Sequence, residues 1–408
     1  MRPVLPVKAG EILWRRSFSG NTSGSLNDGG PVLSSNRIAF PASDYVYFVN
    51  KDGSGEQRVK NNAWGFYPSA LVADLDGNVY YATPDGLFSV DANGSLRWSH
   101  AITPPANIGE FAMGLTPVLA PDGVVYFATH DQAVGAYRTS DGKLLWSRPG
   151  PESNNIWRAQ VMGGGGKGLF VAYDGVYPDA RTDALDTRDG SRLGSFVRPA
   201  YGASFTWEWG AWVEGWDLGV GYGNIYVFDT CGNLRWSGTP QGAGVVASGE
   251  LLAISTDTRS GTLLLSDMHG NVVAGPAPAE GWPVAAGADG SIYMFRCDDA
   301  ATSTNRILAY SHDLQELWRL DLGGDACKEI TGNVILDDAG VMYFIRKGGS
   351  PTTTEVIAIQ TASPGLADSS WPSFRHDNRG TAWLVPGVGN TDPTDGGDQV
   401  DAPEPQGD

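Results

Sequence analysis

The stretch Thr139–Trp146, which reads TSDGKLLW, decides the fold of this chain because near-copies of it recur. The copies are DANGSLRW at Asp91–Trp98, DTCGNLRW at Asp229–Trp236 and SHDLQELW at Ser311–Trp318. The same frame persists elsewhere without a closing tryptophan, and EILW near the N-terminus adds another copy. Its final residues, about 43 residues apart on average, are Trp14, Gln57, Trp98, Trp146, Gly194, Trp236, Ala274 and Trp318.

A period of about 43 residues is the length of four short strands and their turns. Within Asp74–Trp98, the apolar runs NVYYA, LFSVD and SLRW are separated by TPDG and DANG. Glycine after Asp or Asn supplies the positive φ that tight hairpins need. The repeat therefore predicts four-stranded antiparallel sheets, and the sequence shows no helical periodicity of useful length.

The number and order of the repeats predict how the chain closes. After Trp318 the chain encodes three more strands but lacks the outer LxW strand, and Glu11–Trp14 supplies one. We therefore predict an all-β fold, an eight-bladed β-propeller closed by the N-terminal strand, which leaves no exposed sheet edge between first and last blade. Seven blades are the alternative if the first unit, poor in signature residues, is irregular.

The predicted domain organisation is a single propeller with two flanking segments. Residues 1–10 form an N-terminal extension, and residues 11–384 form the propeller. Residues 385–408 contain six acidic residues and no basic ones, with almost nothing to bury, so we predict a disordered tail.

Charge and composition narrow the classes of partner. The formal net charge is −18, and Lys and Arg form no stripe, which argues against nucleic acid and anionic membranes. No apolar run of about 20 residues predicts a transmembrane segment, and the opening segment is too short for a signal peptide. We expect a monomer.

Two features resemble the PQQ-like, or quinoprotein-type, β-propeller repeat. Ala136–Trp146 and Ala184–Gly194 follow its Ala-x-Asp-x-x-x-Gly-x-x-x-Trp signature, with Arg138 in the Asp position and Gly194 in the Trp position. Trp371–Trp383, WPSFRHDNRGTAW, resembles a WPxFxxDxxxTG segment of such proteins, with Gly380 and Thr381 in reversed order. The resemblance implies a cell-envelope protein.

The family includes dehydrogenases that hold PQQ and calcium, and non-catalytic propellers such as the lipoprotein of the outer-membrane β-barrel assembly machinery. The adjacent cysteine pair of the dehydrogenases is absent, because Cys231, Cys297 and Cys327 lie far apart. The acidic run Asp74–Asn78 predicts a hairpin turn rather than a calcium site. We therefore predict no catalytic residue, no metal and no cofactor, with PQQ and calcium as the alternative.

Two smaller features have structural interpretations. Gly163–Gly166, followed by Lys167, lacks the Gly-Lys-Ser/Thr ending of a phosphate loop, and we predict a flexible turn. Cys297 and Cys327 flank the outer part of the seventh unit, so they could form a disulfide in an oxidising compartment.

Aromatic residues accumulate before the predicted inner strands, where the connections surround one mouth of the central channel. With the charges between them they could form a ligand-binding rim, because flat apolar rings beside polar groups suit sugars, peptides and aromatic ligands. The other interpretation is that these rings fill the core between blades. The rim candidates are Trp64, Phe66, Tyr67, Phe111, Trp157, Arg158, Trp207, Glu208, Trp209 and Trp282.

The densest part is Trp207–Asp217, WEWGAWVEGWD. Strand alternation places Trp212, Trp216, Glu208 and Glu214 on one face and the other tryptophans on the opposite face. Since exposing both faces is costly, one pair belongs to the core and the other, with its carboxylates, is a candidate contact surface.

Together with the family resemblance, which implies the bacterial cell envelope, these observations predict a non-catalytic binding or scaffold propeller. It would be periplasmic, outer-membrane-associated or extracellular, and its loop rim would recognise an envelope protein, a peptide or a glycan. The alternatives are a PQQ- and calcium-dependent dehydrogenase and a carbohydrate-binding propeller that uses the aromatic rim.

Overall fold

The computed structural model describes most of the chain in short segments. The described residues are 8–19, 30–42, 44–60, 70–83, 86–102, 117–129, 133–152, 156–175, 181–196, 200–206, 210–216, 223–228, 234–238, 244–249, 251–255, 261–267, 269–279, 281–296, 305–323, 333–347, 353–373 and 375–384.

Strands in the described residues form eight sheets, numbered here in chain order from the second strand onward. The first strand, β1 (Ile12–Ser19), joins the last sheet. Sheet 1 contains, from inner to outer strand, β2 (Val32–Ser34), β3 (Arg37–Ala42), β4 (Tyr45–Asn50) and β5 (Gln57–Lys60). Sheet 2 contains β6 (Val72–Ala73), β7 (Val79–Thr83), β8 (Gly86–Val90) and β9 (Leu96–Ala101). Sheet 3 contains β10 (Val118–Ala120), β11 (Val124–Ala128), β12 (Val134–Arg138) and β13 (Leu144–Arg148).

The next sheets repeat this order from inner to outer strand. Sheet 4 contains β14 (Ile156–Gly165), β15 (Gly168–Gly175), β16 (Arg181–Asp186) and β17 (Arg192–Phe196). Sheet 5 contains β18 (Ala200–Thr206), β19 (Gly210–Trp216), β20 (Gly223–Phe228) and β21 (Leu234–Gly238). Sheet 6 contains β22 (Gly244–Ala247), β23 (Leu251–Ser255), β24 (Thr262–Ser266) and β25 (Val272–Pro278).

The last two sheets bring in both ends of the chain. Sheet 7 contains β26 (Trp282–Ala286), β27 (Ile292–Arg296), β28 (Arg306–Tyr310) and β29 (Glu316–Asp321). Sheet 8 contains β30 (Ile335–Leu336), β31 (Val341–Lys347), β32 (Thr353–Gln360) and then β1. The final strand, β33 (Trp383–Leu384), adds in parallel to the inner edge of sheet 4. The predicted use of the N-terminal strand as an outer strand is therefore confirmed.

The last residue of the repeated phrase has the same pairing position in the outer strand of every sheet. Trp98 lies opposite Ser89, which lies opposite Tyr80, which lies opposite Val72 of the inner strand. The same row runs through each of the other sheets and ends at Trp14, Gln57, Trp146, Gly194, Trp236, Ala274 or Trp318. We call it the tryptophan row.

Hydrophobic clusters between neighbouring sheets form the core. Phe40 and Tyr343 belong to a cluster that joins sheets 8 and 1, and Val72 and Phe127 belong to one that joins sheets 2 and 3. A strand within this core, such as β7, is buried at every residue because clusters cover both faces of its sheet. The all-β class and the four-stranded antiparallel sheets are confirmed, whereas the number of eight blades stays a prediction.

Helices do not occur in the part of the chain that the structure describes. No described segment is accordingly a helix that is long and apolar enough to cross a membrane.

Candidate functional site

Four row-ending tryptophans each pack on a tyrosine of their own sheet. The ring centroids of Trp98 and Tyr80 are 5.9 Å apart, and their planes are inclined by 42°. Nearly the same geometry recurs for Trp14 with Tyr343, Trp146 with Tyr126 and Trp318 with Tyr293. The spacing and tilt are those of favourable aromatic pairs, so the repeat encodes one packing unit.

The tryptophans also join neighbouring sheets. The indole Nε1 of Trp98 donates to the carbonyl oxygen of Thr139 in sheet 3 at 2.8 Å, and that of Trp146 donates to Thr187 in sheet 4 at 2.9 Å. An added Cβ at Gly142 or Gly190, in the turns that follow, would lie 2.7 Å from the ring. The phrase therefore pairs a tryptophan in one sheet with a glycine in the next.

At the junction between sheets 1 and 2, hydrogen bonds between polar groups take the place of the tryptophan. Gln57 ends the row, and Arg37 donates to its Oε1 at 3.0 Å and to the Ala92 carbonyl of sheet 2 at 3.3 Å. Burial lowers the pKa of the Arg37 guanidinium. The role of Gln57 and Arg37 could not be read from the phrase alone, because they lie in different strands.

The strongest departure from the simple repeat is the segment after β32. Residues 366–373 and 375–384, which we call the plug, run along the inner edges of sheets 7, 8, 1, 2, 3 and 4. In each of these six sheets, the innermost strand contributes one residue to the tryptophan row. The main-chain N–H of the next residue in sequence donates to the plug. The bonds are Ala286 to Pro372 (2.7 Å), Leu336 to Asn378 Oδ1 (2.8 Å), Leu33 to Asn378 (2.7 Å), Ala73 to Arg379 (2.9 Å), Leu119 to Thr381 (3.0 Å) and Gly164 to Ala382 (3.0 Å).

Asn378 shows how one residue serves two sheets. Its side-chain amide accepts from the Leu336 N–H and donates to the Leu336 carbonyl oxygen at 2.9 Å, while its main-chain carbonyl accepts from Leu33. The amide thereby imitates a strand pairing at sheet 8. A side chain with both a donor and an acceptor is needed here.

Asp377 organises the turn of the plug at 375–380. Its carboxylate accepts from the N–H groups of Arg379 and Thr381, from the Thr381 hydroxyl and from Arg379 Nη2, at 3.0 to 3.1 Å. Burial acts to raise the pKa of Asp377, but the Arg379 guanidinium, His376 and the Thr381 N–H together hold it below its usual range. The carboxylate is therefore ionised in the folded protein at neutral pH.

Gly163–Gly166 contradict the prediction of a flexible turn. Gly163–Gly165 belong to β14, and Gly166 and Lys167 alone make the turn to β15. A Cβ at Gly164 would lie 2.6 Å from the ring of Trp383. Gly164 is needed because the plug approaches this strand closely, a tertiary reason that no local pattern reveals.

The acidic run Asp74–Asn78 is the predicted hairpin turn, between β6 and β7. Asp74 accepts from the Asn78 N–H and amide at 2.8 Å and from the Tyr80 hydroxyl at 2.6 Å. Burial, followed by this bond, raises the pKa of Tyr80. The carboxylate is engaged within its own turn, so these residues do not fit a calcium site.

Most rim candidates fall outside the described residues: Trp64, Phe66, Tyr67, Phe111, Trp207, Glu208 and Trp209. Trp157 and Arg158 lie at the start of β14, and Trp216 ends β19. These positions share one end of the channel with Trp282, the first residue of β26. We call this end the loop mouth, and the opposite end, with the turns after the inner strands, the turn end.

Trp282 is half-buried and packs edge-to-face on Phe295, with centroids 5.0 Å apart. It contacts the hydrophobic cluster between sheets 7 and 8. Its ring therefore fills part of the core, as the second interpretation of the aromatic residues expected, while its position stays at the loop mouth.

Trp212, Glu214 and Trp216 occupy alternate positions of β19. Trp212 lies between Ser204 and Val227 in the tryptophan row, at the position that a buried tyrosine holds in sheets 2, 3, 7 and 8. Trp216 lies toward the loop mouth. Alternation correctly puts the two tryptophans on one face of β19, but they lie at different levels along the strand.

The described residues include no candidate metal site and none of the three cysteines. No group of three His, Cys, Asp or Glu side chains that could hold a metal occurs in the described segments. Cys231, Cys297 and Cys327 lie outside those segments, so the predicted disulfide stays a prediction.

The sheets and the tryptophan row define a β-propeller fold, and its repeat resembles the PQQ-like type. Residues 4–193 match the family model described as outer membrane protein assembly factor BamB. The resemblance that the sequence indicated is thereby confirmed. A search of curated protein sequences gave no significant match.

Solved structures support the fold. BamB from Moraxella catarrhalis is similar with a TM-score of 0.57 and 14% identity, over 85% of this chain and 99% of that chain. The computationally designed Ika8 protein gives a TM-score of 0.58 at 13% identity, over 84% and 100%. Sqt1 from Saccharomyces cerevisiae gives 0.57 at 11% identity, over 86% and 100%. At these identities the likeness shows the fold alone.

Proposed function

We propose that this protein is a non-catalytic binding scaffold of the bacterial cell envelope that recognises a protein partner at its loop mouth. The observation that carries the proposal is the plug. Because it occupies the channel wall near the turn end in six consecutive sheets, a ligand reaches the channel from the loop mouth.

The family match supports the scaffold role and the compartment. Residues 4–193 resemble a family described as an outer-membrane assembly factor, and the repeat resembles that of periplasmic and outer-membrane-associated proteins. We therefore place the protein in the periplasm or at the outer membrane. The partner is an envelope protein, and the protein uses no cofactor.

The turn end is a poor candidate for recognition, since its polar groups serve their own turns. Asp267 accepts from the Asn271 N–H and amide at 2.8 Å, and Asp186 binds both the N–H and the guanidinium of Arg188. Binding a partner there would have to break these local bonds. The loop mouth, by contrast, is the end at which Trp157, Trp216 and Trp282 lie, and aromatic residues are enriched at protein interfaces.

Site-specific photo-cross-linking in the source bacterium tests the proposal. A photoreactive phenylalanine analogue replaces Trp282 at the loop mouth, and in the matched control it replaces Asp122, an exposed residue of the turn after β10. We expect a discrete cross-linked protein from position 282 and none from position 122. Equal patterns from both positions would contradict recognition at the loop mouth.

A titration separates the scaffold from the enzyme and the lectin. PQQ is added to the purified protein with and without calcium while tryptophan fluorescence is followed, and a glycan array is probed with the same sample. We expect no saturable quenching and no retained glycan. Saturable, calcium-dependent quenching would instead support a quinoprotein dehydrogenase, and glycan retention would support a carbohydrate-binding propeller.

A further inference from the structure

The turn of the plug, residues 375–380, faces the loop mouth. Arg375 donates from Nη2 to the carbonyl oxygen of Pro117, which precedes β10 on its loop-mouth side. An added Cβ at Gly380 would lie 3.0 Å from Val32 and 3.2 Å from the Leu71 carbonyl oxygen. Val32 and Leu71 likewise lie on the loop-mouth side of Leu33 and Ala73, the residues whose N–H groups hold the plug. The turn is therefore the floor of the channel as seen from the loop mouth.

This floor carries positive charge in an acidic protein. Residues 375–380 contain two arginines and one aspartate, which with a neutral histidine gives a formal charge of +1, against −18 for the chain. Arg375 and Asp377 are buried, whereas the side chain of Arg379 is 26% exposed. Arg379 is thus the charged member of the turn that solvent reaches most easily.

Arg379 is held in place but keeps donor capacity. Its N–H donates to Asp377 Oδ1, its carbonyl oxygen accepts from Ala73, and its Nη2 donates to Asp377 Oδ2 at 3.1 Å. A guanidinium group has five N–H donors, and a fork of two suits a carboxylate. Among the described residues, Asp377 is the acceptor that this guanidinium contacts. A pre-positioned cation of this kind binds an anion with little loss of side-chain entropy.

We propose that the plug turn is a carboxylate receptor at the floor of the channel, in which the Arg379 guanidinium contacts the ligand. The proposal rests on recognition at the loop mouth and adds its chemistry: the partner extends an acidic side chain or a terminal carboxylate into the channel. The net negative charge of the surrounding protein opposes anions in general, so the receptor selects a carboxylate that other contacts bring to the mouth.

Direct binding tests the receptor with the full chain. The probe is a fluorescein-labelled hexaglutamate peptide, followed by fluorescence anisotropy, with hexaglutamine as the neutral control and free succinate as a competitor. We expect hexaglutamate to bind at least about tenfold more tightly than hexaglutamine, as for one hydrogen-bonded charge pair. Competition by succinate would assign the site to small dicarboxylates, and its failure to compete would assign it to peptide carboxylates. Equal affinity for both peptides would overturn the receptor.

Variants then identify the residue. Arg379→Gln should weaken hexaglutamate binding about tenfold, and Arg379→Lys should recover only part of it, because the positive charge remains but the fork of two N–H donors is lost. The matched control is Arg188→Gln, since Arg188 pairs with Asp186 across the same two-residue spacing, but it lies at the turn end with a side chain 70% exposed. We expect Arg188→Gln to leave binding unchanged.

Two further measurements keep the outcomes distinct. The melting temperature of each variant shows whether it folds. If Arg379→Gln does not fold, the receptor is tested by comparing the affinities of hexaglutamate and hexaglutamine for the unaltered protein. A folded Arg379→Gln variant that binds hexaglutamate normally would overturn the receptor. If that variant still cross-links to its partner from position 282, recognition at the loop mouth stands without the receptor.

Discussion

Ala274 and Leu314 exchange the sizes that tryptophan and glycine have at other junctions. Ala274 ends the tryptophan row of sheet 6, and Leu314 holds the turn position of sheet 7 where other sheets have glycine. Leu314 adopts a φ of 61° and is buried in one cluster with Ala274. Its Cδ1 lies 2.9 Å from the position that a Cβ on Gly275 would occupy. At this junction a leucine of the following sheet therefore fills the space that the tryptophan of the preceding sheet fills at other junctions.

The first prediction concerns this exchange. Ala274→Trp should destabilise the protein by about 2 kcal/mol because the ring overpacks against Leu314, and Leu314→Gly should cost a similar amount by leaving a cavity. The double variant should recover to within about 1 kcal/mol of the unaltered protein, because it recreates the usual pair. Urea denaturation of all four proteins measures the coupling, and simple additivity would show that the two residues do not substitute for the usual pair.

The second prediction separates backbone strain from packing on tryptophan. Gly190 has a φ of 73° and would place a Cβ 2.7 Å from the Trp146 ring, whereas Gly166, in the same sheet, has a φ of 55° and no described atom within 4 Å of that position. Gly166→Ala should cost about 1 kcal/mol for the left-handed conformation alone. Gly190→Ala should cost about 3 kcal/mol because a clash is added. Equal losses in thermal unfolding would mean that the turn moves away from the ring freely.

The third prediction is a pH dependence in the plug. Since the pKa of Asp377 lies below the ordinary value for an aspartate, 3.8, its contribution to stability is present above that value and is lost as the pH falls toward its folded pKa. Asp377→Asn should cost about 3 kcal/mol at pH 7, because it leaves Arg379 and Thr381 poorly paired. The difference from the unaltered protein should shrink below about pH 4. Urea titrations at several pH values measure it.

Asp267→Asn is the control for that series, because Asp267 binds within a single exposed turn. We expect a smaller loss of stability at neutral pH. A loss as large as that of Asp377→Asn would show that the plug adds nothing beyond ordinary turn capping.

The fourth prediction tests the plug as a whole. A chain that ends at Leu384 should unfold like the full protein, because residues 385–408 are predicted to be disordered. A chain that ends at Pro364 should melt at a markedly lower temperature, since the inner strands of six sheets lose the acceptors of their N–H groups. Hydrogen exchange followed by mass spectrometry should show lost protection in peptides that contain Leu33, Ala73, Leu119 and Ala286. Unchanged protection there would mean that the inner strands are stable without the plug.

Much of the fold followed from the local repeat. The phrase ending in Trp98 or Trp146 predicted strand lengths, turns and the row-ending position, because a two-residue alternation and a positive-φ glycine are local properties. The pairing of Glu11–Trp14 with the last sheet followed from counting the strands. The site was less predictable: Trp212 and Trp216 share a face by alternation, but their places along the ladder depend on which strands pair.

The sequence by itself determined the all-β class, the four-stranded units and the role of the N-terminal strand, since these rest on periodicity and turn chemistry within about 40 residues. Only the tertiary structure decided that Trp371–Trp383 enters the channel, that Gly164 makes room for Trp383, and that Leu314 replaces a tryptophan from another sheet. These contacts join residues that are distant in sequence. They are stabilised by packing and by main-chain hydrogen bonds, and since main-chain groups are the same in every repeat, the sequence does not mark which of them pair.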